Sequence, residues 1–284
     1  MLWQTSRRLI SSEKTLVMAI LNVTPDSFSD GGKFYSIDEA LRQAEKLIAE
    51  GADILDVGGE STRPNSARVA AAEEQRRVVP VIEAVSKRFA VPVSIDTSKS
   101  AVADSAIQAG AEIINDVSGL LFDKKIAEVA AKHKAGLILM HLRGSFETMH
   151  KQPPVADILR EVSDGFRNSI ERAKGFGVSE NQIALDIGIG FSKTFGQNLE
   201  LLAKLDKLVA EFPNFPMLVG TSRKSFLGKI LGDAPAVERL QGSLASAAIA
   251  VWNGAQILRV HDVKETVECL KVVESIKNRR NPDE

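Results

Sequence analysis

The sequence contains little cysteine, no long apolar run and no excess of charge of either sign. The single cysteine, Cys269, lies in an amphipathic stretch and has no partner for a disulfide or a CxxC metal site, so we expect a reduced packing residue. No stretch of 18 apolar residues occurs, and residues 1–14 contain no apolar core typical of a signal peptide. These absences argue against a membrane partner and lead us to expect a cytoplasmic protein.

The charge balance and the missing motifs narrow the function further. Lys and Arg number 36 against 37 Asp and Glu, a formal net charge of −1, so neither nucleic acid nor an anionic membrane is an expected partner. HExxH, GxGxxG, GxxxxGK[ST] and the EF-hand loop are absent from the sequence, which removes the usual support for zinc proteases, nucleotide-binding folds and calcium sensors. Apolar residues make up 44% of the chain, enough for the core of one globular domain.

Eight short apolar segments alternate with helical patterns. The segments are rich in Ile, Val and Leu, as strands covered on both faces should be, and occupy residues 17–23, 52–58, 91–97, 113–117, 136–142, 183–189, 216–222 and 255–260. Helical patterns occupy residues 36–51, 99–109, 124–134, 157–174, 199–210, 238–252 and 263–277. This rhythm predicts an α/β protein with a (β/α)8 TIM barrel at residues 15–280. We expect residues 1–14 to form an N-terminal extension that packs on or caps the barrel, and residues 281–284 to form a tail.

A polar side chain lies near the end of each apolar segment, and in a parallel barrel those ends share one mouth. The residues are Asn22, Glu60, Asp96, Asn115, His141, Asp186, Lys224 and Arg259. Three long connections, at residues 24–35, 60–69 and 143–156, follow strands and overhang the same mouth. Long loops in compact domains are usually functional, so we place the functional site there.

The carboxylates at the mouth favour a heterocyclic ligand. Asp96 and Asp186 end apolar strands, where an ionised carboxylate without partners is too costly to persist. Each could be a structural Asp bonded to backbone amides or to a Lys. Alternatively, both carboxylates and Asn115 bind a flat ring with adjacent N–H donors and a carbonyl, such as an aminopyrimidinone. Asp56 lies earlier in its strand, which suggests that it supports the other polar residues rather than contacting the ligand itself.

The cations at the mouth favour a phosphate group. Arg63 follows the second segment and Lys224 the seventh, while Arg259 and His261 end the eighth with a spacing that sends both to the same face. Each cation alone is typical of a solvated surface. Together with nearby hydroxyls they form a cradle for phosphate oxygens.

The sequence leaves the roles of two further polar residues undecided. Asn22 is a neutral oxygen ligand suited to Mg²⁺, although an Asn that bonds its own loop fits the pattern equally well. His141 could be a ligand, but we interpret it as a satisfied core histidine, and His133 and His150 as helix-surface and loop residues.

Two long motifs resemble the signature segments of the dihydropteroate synthase family. They read NVTPDSFSDGG at residues 22–32 and DVGGESTRP at residues 56–64. Shorter agreement is found at DTSK (96–99), IND (114–116), MH (140–141), SRKS (222–225) and RVHD (259–262). The resemblance spans nearly the whole chain.

The resemblance implies a Mg²⁺-dependent transferase of folate biosynthesis with a pterin-binding (β/α)8 barrel. It would join 6-hydroxymethyl-7,8-dihydropterin diphosphate to 4-aminobenzoate, giving 7,8-dihydropteroate and diphosphate. The resemblance also implies that the protein is a homodimer and a target of sulfonamides.

Residue roles are implied by the matching motifs. The catalytic residues would be Lys224, Arg63, Arg259 and His261. The pterin would be held by Asp96, Asn115, Asp186 and Lys224, with Met140 packing nearby. The diphosphate and Mg²⁺ would be served by Asn22, Thr62, Arg63, Arg259 and His261. The aminobenzoate pocket would be bordered by Phe28, Thr62, Pro64, Lys224 and Ser225.

One segment departs from the family pattern. It reads DIGIGFSK at residues 186–193, where the family commonly has Pro after the Asp and Gly before the Lys. Ile187 therefore lacks a φ restraint, and Ser192 restricts a position that Gly would leave free. We expect an effect on the conformation of this loop and on the strength of pterin binding.

Three other functions share part of the pattern. A pterin-binding methyltransferase that acts with a corrinoid protein would not need the cation cradle, so the cradle disfavours it. A Schiff-base aldolase would use Lys224 as nucleophile, and failure to trap a borohydride adduct would remove it. A noncatalytic pterin-binding or structural paralogue would be excluded by diphosphate release that depends on 4-aminobenzoate.

Overall fold

The chain forms a closed barrel of parallel strands. The computed structural model describes residues 1–23, 37–62 and 66–280, and within these ranges eight parallel strands close a barrel in chain order, with the last strand beside the first. The TIM barrel predicted from the sequence is therefore confirmed. The strands are β1 (Leu2–Gln4), β2 (Leu9–Ser11), β3 (Leu16–Asn22), β4 (Ile54–Gly58), β5 (Val93–Asp96), β6 (Ile113–Asp116), β7 (Gly136–Met140), β8 (Ile183–Asp186), β9 (Met217–Val219) and β10 (Ile257–Val260), of which β3 to β10 form the barrel.

Helices follow the barrel strands and surround the barrel. They are α1 (Ile37–Ala49), α2 (Ala71–Arg88), α3 (Ser100–Ala109), α4 (Lys125–His133), α5 (Ile158–Gly175), α6 (Phe195–Ala203), α7 (Leu205–Glu211), α8 (Ser225–Ile230), α9 (Leu240–Trp252) and α10 (Val263–Arg280). In the part of the chain that is described, no helix is both long and apolar enough to cross a bilayer.

Two helical regions differ from the periodicity in the sequence. The pattern at residues 199–210 predicts one helix, but α6 ends at Ala203 and α7 begins at Leu205. No helix is predicted for α2, which contains Pro80 and many charged residues. Its buried apolar stripe, which includes Val78 and Val85, is therefore difficult to recognise.

The barrel interior has an apolar layer and a polar layer. Its lower layer, near the N-terminal ends of the strands, consists of Leu16, Met18, Ile54, Ile113, Ile138, Ala184, Leu218 and Ile257. Because side chains on a strand alternate with a period of two, residues two positions later point to the same interior. That upper layer contains Asp56, Asn115, Met140, Asp186 and Arg259. The polar residues therefore converge because of the strand period alone.

The N-terminal hairpin closes the lower end of the barrel. Strands β1 and β2 pair antiparallel, and Trp3 on β1 is fully buried against the lower apolar layer. The indole Nε1 donates a hydrogen bond to the carbonyl of Gln182 at 2.8 Å, just before β8. Arg8 binds the buried carboxylate of Glu112 through Nη2 at 2.6 Å. The hairpin thus covers the end of the barrel opposite the mouth.

Replacing Trp3 tests this closure. We expect Trp3→Ala to lower the free energy of unfolding by about 3 to 5 kcal/mol, because it leaves a cavity and removes a buried aromatic side chain. Urea denaturation would measure the change. The matched control is Leu2→Ala, since Leu2 is 58% exposed and its truncation should change stability by less than about 0.5 kcal/mol. Equal stability of both variants would contradict the structural role of Trp3.

Candidate functional site

One guanidinium group joins two carboxylates in the upper layer of the barrel. Arg259 on β10 donates from Nε to Asp56 Oδ2 and from Nη2 to Asp96 Oδ2, both at 2.7 Å. Asn115 on β6 donates from Nδ2 to the same oxygen of Asp56 at 3.0 Å. Asp56 is fully buried and Asn115 is 1% exposed. The residues form a connected polar group, which we call the acid–arginine layer.

The charges in this layer differ in arrangement from the sequence-based hypothesis. That hypothesis assigns Asp96 to a heterocyclic ligand and Arg259 to a phosphate group, whereas Arg259 contacts Asp96 directly. Burial raises the pKa of Asp96 to about 7, although Arg259 opposes the shift. Burial alone would lower the pKa of Arg259, but the carboxylates of Asp56 and Asp96 raise it above its ordinary value. Arg259 therefore stays charged and also stabilises the barrel interior.

The acid–arginine layer has hydrogen-bond acceptors that the protein does not use. Among the described residues, Asp56 Oδ1 and Asn115 Oδ1 are buried and have no hydrogen-bond partner. The carbonyl oxygen and the carboxylate oxygen can only accept hydrogen bonds. Because an unsatisfied buried acceptor is costly, the layer is suited to a ligand that supplies N–H donors.

Asp186 and Lys224 extend the polar layer on the side of β8. Asp186 is 6% exposed, and its Oδ1 accepts a hydrogen bond from the amide of Gly188 at 2.7 Å. Burial raises the pKa of Asp186, against the effects of this bond and of Lys224. Lys224 Nζ donates to the carbonyl of Ile189 at 2.8 Å. Burial lowers the pKa of Lys224 to about 8, although Asp186 counteracts it.

Gly188 lets this loop approach the neighbouring strand. Its φ is +65°, and a Cβ atom there would lie 2.0 Å from the carbonyl oxygen of His141. A side chain at this position would therefore require the backbone to move. Lys224 lies above the same loop, with Nζ 4.2 Å from the centroid of the Phe191 ring.

His261 is held beside the mouth by the loop after β9. Its Nδ1 lies 3.0 Å from Ser222 Oγ, and its amide donates to the same oxygen at 3.2 Å. Arg223 is instead paired with Asp262, with Nε 3.1 Å from Oδ2. The two cations of the SRKS motif thus have different surroundings: Arg223 braces the loop, whereas Lys224 lies beside Phe191 and Asp186. Ser225 is the exposed first residue of α8.

Asn22 lies at the end of β3, beside the acid–arginine layer. A Cβ atom at Gly58 would lie 3.4 Å from Asn22 Oδ1 and 3.7 Å from Asp96 Oδ2. Asn22 and Asp96 therefore flank the same glycine. Thr62 is half-buried in the loop after β4. Three other residues of the sequence-based site lie outside the described residues: Phe28, Arg63 and Pro64.

Met140 belongs to an apolar cluster at the rim of the mouth. It is 4% exposed and pairs in register with Asp186 on the neighbouring strand. The cluster, which we call the rim cluster, consists of Val117, Met140, Leu142, Phe146, Met149 and Phe191. It provides an apolar surface next to the polar layer.

Lys193 is a half-buried lysine that the sequence-based site omits. Its Nζ lies 3.1 Å from His141 Nδ1 and donates to the carbonyl of Phe191 at 2.9 Å. Burial lowers the pKa of Lys193 to about 7. Burial and the nearby Lys193 also hold the pKa of His141 well below its ordinary value. His141 is thus a neutral, hydrogen-bonded core residue rather than an exposed base.

A second buried ionic group anchors the loop after β4. Lys99 Nζ lies 2.8 Å from Glu60 Oε2 and 2.5 Å from Glu74 Oε2. Glu74 on α2 is fully buried, and burial raises its pKa. Glu60 Oε1 also accepts the amide of Val69 at 2.5 Å, which closes the loop on itself. The sequence names Glu60 and Lys99 in motifs, but it gives no sign that Glu74 joins them.

Ser192 occupies the left-handed backbone region. Its φ is +56°, where Gly would be less strained. The hydroxyl accepts the amide of Arg143 at 2.9 Å and donates to the carbonyl of Arg143 at 2.8 Å. These two bonds offset the backbone cost. The departure from the family pattern therefore joins the loops after β7 and β8.

Comparison with known proteins identifies the family. The family model described as pterin binding enzyme matches residues 18–261. Dihydropteroate synthase of Escherichia coli is 48% identical over 91% of this chain and 90% of its own length. Dihydropteroate synthase of Yersinia pestis, solved in a sulfonamide drug complex, is 44% identical, with a TM-score of 0.91 and coverage of 98% of this chain and 100% of that chain. The Xanthomonas albilineans enzyme, solved with 4-aminobenzoic acid, is 37% identical, with a TM-score of 0.90 and coverage of 98% and 99%. The chain belongs to the pterin binding enzymes, within the dihydropteroate synthase family.

Removing the central cation tests the ionic anchor of the loop after β4. We expect Lys99→Met to lower the free energy of unfolding by about 3 to 5 kcal/mol, because it leaves two carboxylates buried without a counter-ion. Chemical denaturation would measure the loss. The double variant Lys99→Met/Glu74→Gln should recover part of it, since Glu74 is the fully buried carboxylate. A single variant as stable as the parent would contradict this description.

Proposed function

We propose that this chain catalyses the condensation of 6-hydroxymethyl-7,8-dihydropterin diphosphate with 4-aminobenzoate. The products are 7,8-dihydropteroate and diphosphate, in folate biosynthesis. Membership of the dihydropteroate synthase family supports this function. The structural observation that carries it is the layer of unused acceptors, Asp56 Oδ1 and Asn115 Oδ1, beside the carboxylates of Asp96 and Asp186. An aminopyrimidinone ring brings the N–H donors that such a layer lacks.

The pterin ring would bind in the acid–arginine layer. Asp96, Asn115 and Asp186 lie on three strands that are consecutive or close in the barrel, and they converge without any loop movement. Met140 would pack against the ring from the rim cluster. Lys224, whose pKa is lowered to about 8 by burial, would donate to the carbonyl of the ring.

The diphosphate would lie on the loop side of Arg259. His261 with Ser222 lies next to Arg259 on the same strand end, and Thr62 lies on the loop after β4. Arg63 completes this set by family resemblance and lies outside the described residues. Concentrated positive charge stabilises the negative charge that develops on a leaving diphosphate.

The chemistry would be a dissociative substitution at the methylene carbon. The C–O bond to diphosphate breaks first, and the resulting cation is delocalised into the dihydropterin ring. In their ionised forms, Asp96 and Asp186 would supply negative potential on the ring side. The aryl amine of 4-aminobenzoate then forms the C–N bond and loses a proton, while the surrounding loops exclude water.

Mg²⁺ would be held by Asn22 and by oxygens of the diphosphate. Among the described residues, no cluster of three or more His, Cys, Asp or Glu side chains could hold a metal. A single amide oxygen fits Mg²⁺, which commonly takes one or two protein oxygens and completes its shell with phosphate and water. The ion would supply neutralisation of the leaving group.

A homodimer would bury the apolar face of the later helices. Exposed large apolar side chains lie on α6, on α8, before α9, and on α9 and α10. They are Phe195, Leu199, Ile230, Leu231, Val237, Ile249, Trp252, Val272 and Ile276. Since α9 contacts both α6 and α10, most of them lie on neighbouring helices, and a face of this kind marks an interaction site. We propose a second copy of the chain as its occupant, a cytoplasmic location, and inhibition by sulfonamides that compete with 4-aminobenzoate.

A direct assay tests the reaction. Purified protein with both substrates and Mg²⁺ should form 7,8-dihydropteroate, detected by mass spectrometry, and chelation of Mg²⁺ should stop turnover. We expect Asp186→Asn to weaken binding of the pterin substrate about ten- to hundredfold, because a charge-assisted hydrogen bond to the ring is lost.

The control for that variant is Asp206→Asn, which makes the same change at an exposed position of α7. It should bind and turn over like the parent. Absence of coupled product in the parent would overturn the proposed function. Unchanged pterin affinity in Asp186→Asn would overturn only the role of Asp186.

Sedimentation or light scattering tests the dimer. The parent should have twice the mass of one chain, and Ile249→Glu should shift the population to monomer, because it places a charge in the apolar face. Leu9→Glu is the control, since Leu9 is equally exposed but lies on the N-terminal hairpin. A monomeric parent would contradict the proposal.

A further inference from the structure

The loop after β7, residues 143–156, lies between two other loops of the mouth. Phe146 and Met149 from this loop are buried in the rim cluster together with Phe191 from the loop after β8. Arg143 binds the carbonyl of Ser192 through Nη2 at 2.6 Å. The loop after β7 is therefore a packed structure that is joined to the loop after β8.

The same loop contacts the loop after β4 at two points. His150 Nε2 lies 2.9 Å from the carbonyl oxygen of Thr62. A carbonyl can only accept, so Nε2 carries the hydrogen and donates it. Arg68 lies over the ring of Phe146, with Cζ 5.5 Å from the centroid. These contacts bracket residues 63–65 in the sequence.

His150 also contacts the loop after β8 through its ring. The rings of His150 and Phe191 are 5.7 Å apart between centroids, at an interplanar angle of 32°. Phe191 in turn lies under Lys224 Nζ at 4.2 Å. One side chain thus connects the backbone of Thr62 with the pair formed by Phe191 and Lys224.

We propose that His150 is a positioning residue for the second substrate, one that fixes Thr62 relative to the Phe191–Lys224 pair. The inference rests on the proposed function, in which Thr62 and Lys224 border the aminobenzoate pocket. His150 does not act on the reacting atoms: its polar contact is to a backbone carbonyl, and its ring packs on an aromatic side chain. It sets the width of the pocket between two loops that the barrel itself does not connect.

The position of His150 predicts which kinetic constant changes. The pterin would bind to Asp96, Asn115 and Asp186 on the barrel strands and to Lys224, and the side-chain hydrogen bonds given above for these residues do not involve the loop after β7. Loss of the His150 bond should therefore leave pterin affinity intact. It should raise the KM for 4-aminobenzoate, because Thr62 is no longer held in place.

Two substitutions separate the hydrogen bond from the ring contact. His150→Phe keeps an aromatic ring against Phe191 but cannot donate to Thr62. His150→Gln loses the ring but keeps an N–H donor. In steady-state assays, we expect His150→Phe to raise the KM for 4-aminobenzoate about three- to tenfold, the range for loss of one neutral hydrogen bond, with kcat within about twofold. His150→Gln should restore most of the lost affinity.

Controls make the result specific. Pterin affinity, measured by calorimetry without 4-aminobenzoate, should match the parent in both variants, which also verifies that they fold. His133→Phe is the matched control, since His133 ends α4 and pairs with Asp104 away from the mouth. An unchanged aminobenzoate KM in His150→Phe, a parallel loss of pterin affinity, or an equal defect in His150→Gln would each overturn the inference. If the parent forms no product, the proposed function fails instead.

Discussion

The architecture of the site depends on one half-buried guanidinium group that lies between two carboxylates. Arg259 on β10 binds Asp56 on β4 and Asp96 on β5 at 2.7 Å each. Buried charges are tolerated only when they are paired and hydrogen-bonded, so each of the three residues requires the others. Hydrogen-bond donors of this layer are already used within the protein, because Arg259 and Asn115 both donate N–H groups to Asp56. The layer is left with acceptors, and this excess of acceptors selects a ligand rich in N–H groups.

The same pairing would place opposite charges next to the carbon atom at which the proposed substitution takes place. In the proposed reaction the pterin would lie on the side of the carboxylates, and the diphosphate would lie towards the loop after β9, where Ser222 contacts His261. When the proposed substitution breaks the C–O bond, the carbocation would form near Asp96 and Asp186 and the diphosphate anion would form near His261. A low-dielectric interior strengthens such fixed charges. The ion pairing that balances the charges of the folded barrel would thereby also favour the dissociated state in the proposed reaction.

Much of this arrangement follows from the strand period, and for that reason the sequence predicts it. The eight strands, the convergence of Asp96, Asn115 and Asp186, and the common mouth require only alternation and parallel order. Contacts between loops are a different case. Glu74, Lys193 and His150 act through partners that no periodicity brings together, and His150 and Thr62 are 88 residues apart. Helix α2 was missed because Pro80 and its charges obscure the apolar stripe. The direct contact of Arg259 with Asp96 also depends on side-chain length and rotamer, which a pattern of residue types does not specify.

The loops at the mouth are therefore held in place by contacts with one another, and not by the strand pairing that forms the barrel. The barrel strands position Asp96, Asn115 and Asp186. The loops after β4, β7 and β8 are instead joined to one another through His150 and Ser192, and Lys99 joins the loop after β4 to α2. Ser192 illustrates the consequence. Its left-handed backbone costs about 1 to 2 kcal/mol, and its two hydrogen bonds to Arg143 contribute about 1 kcal/mol each. Ser in place of Gly at this position is therefore close to neutral in stability only while Arg143 stays in place. Changes in one loop are thus compensated by another loop and not by the barrel.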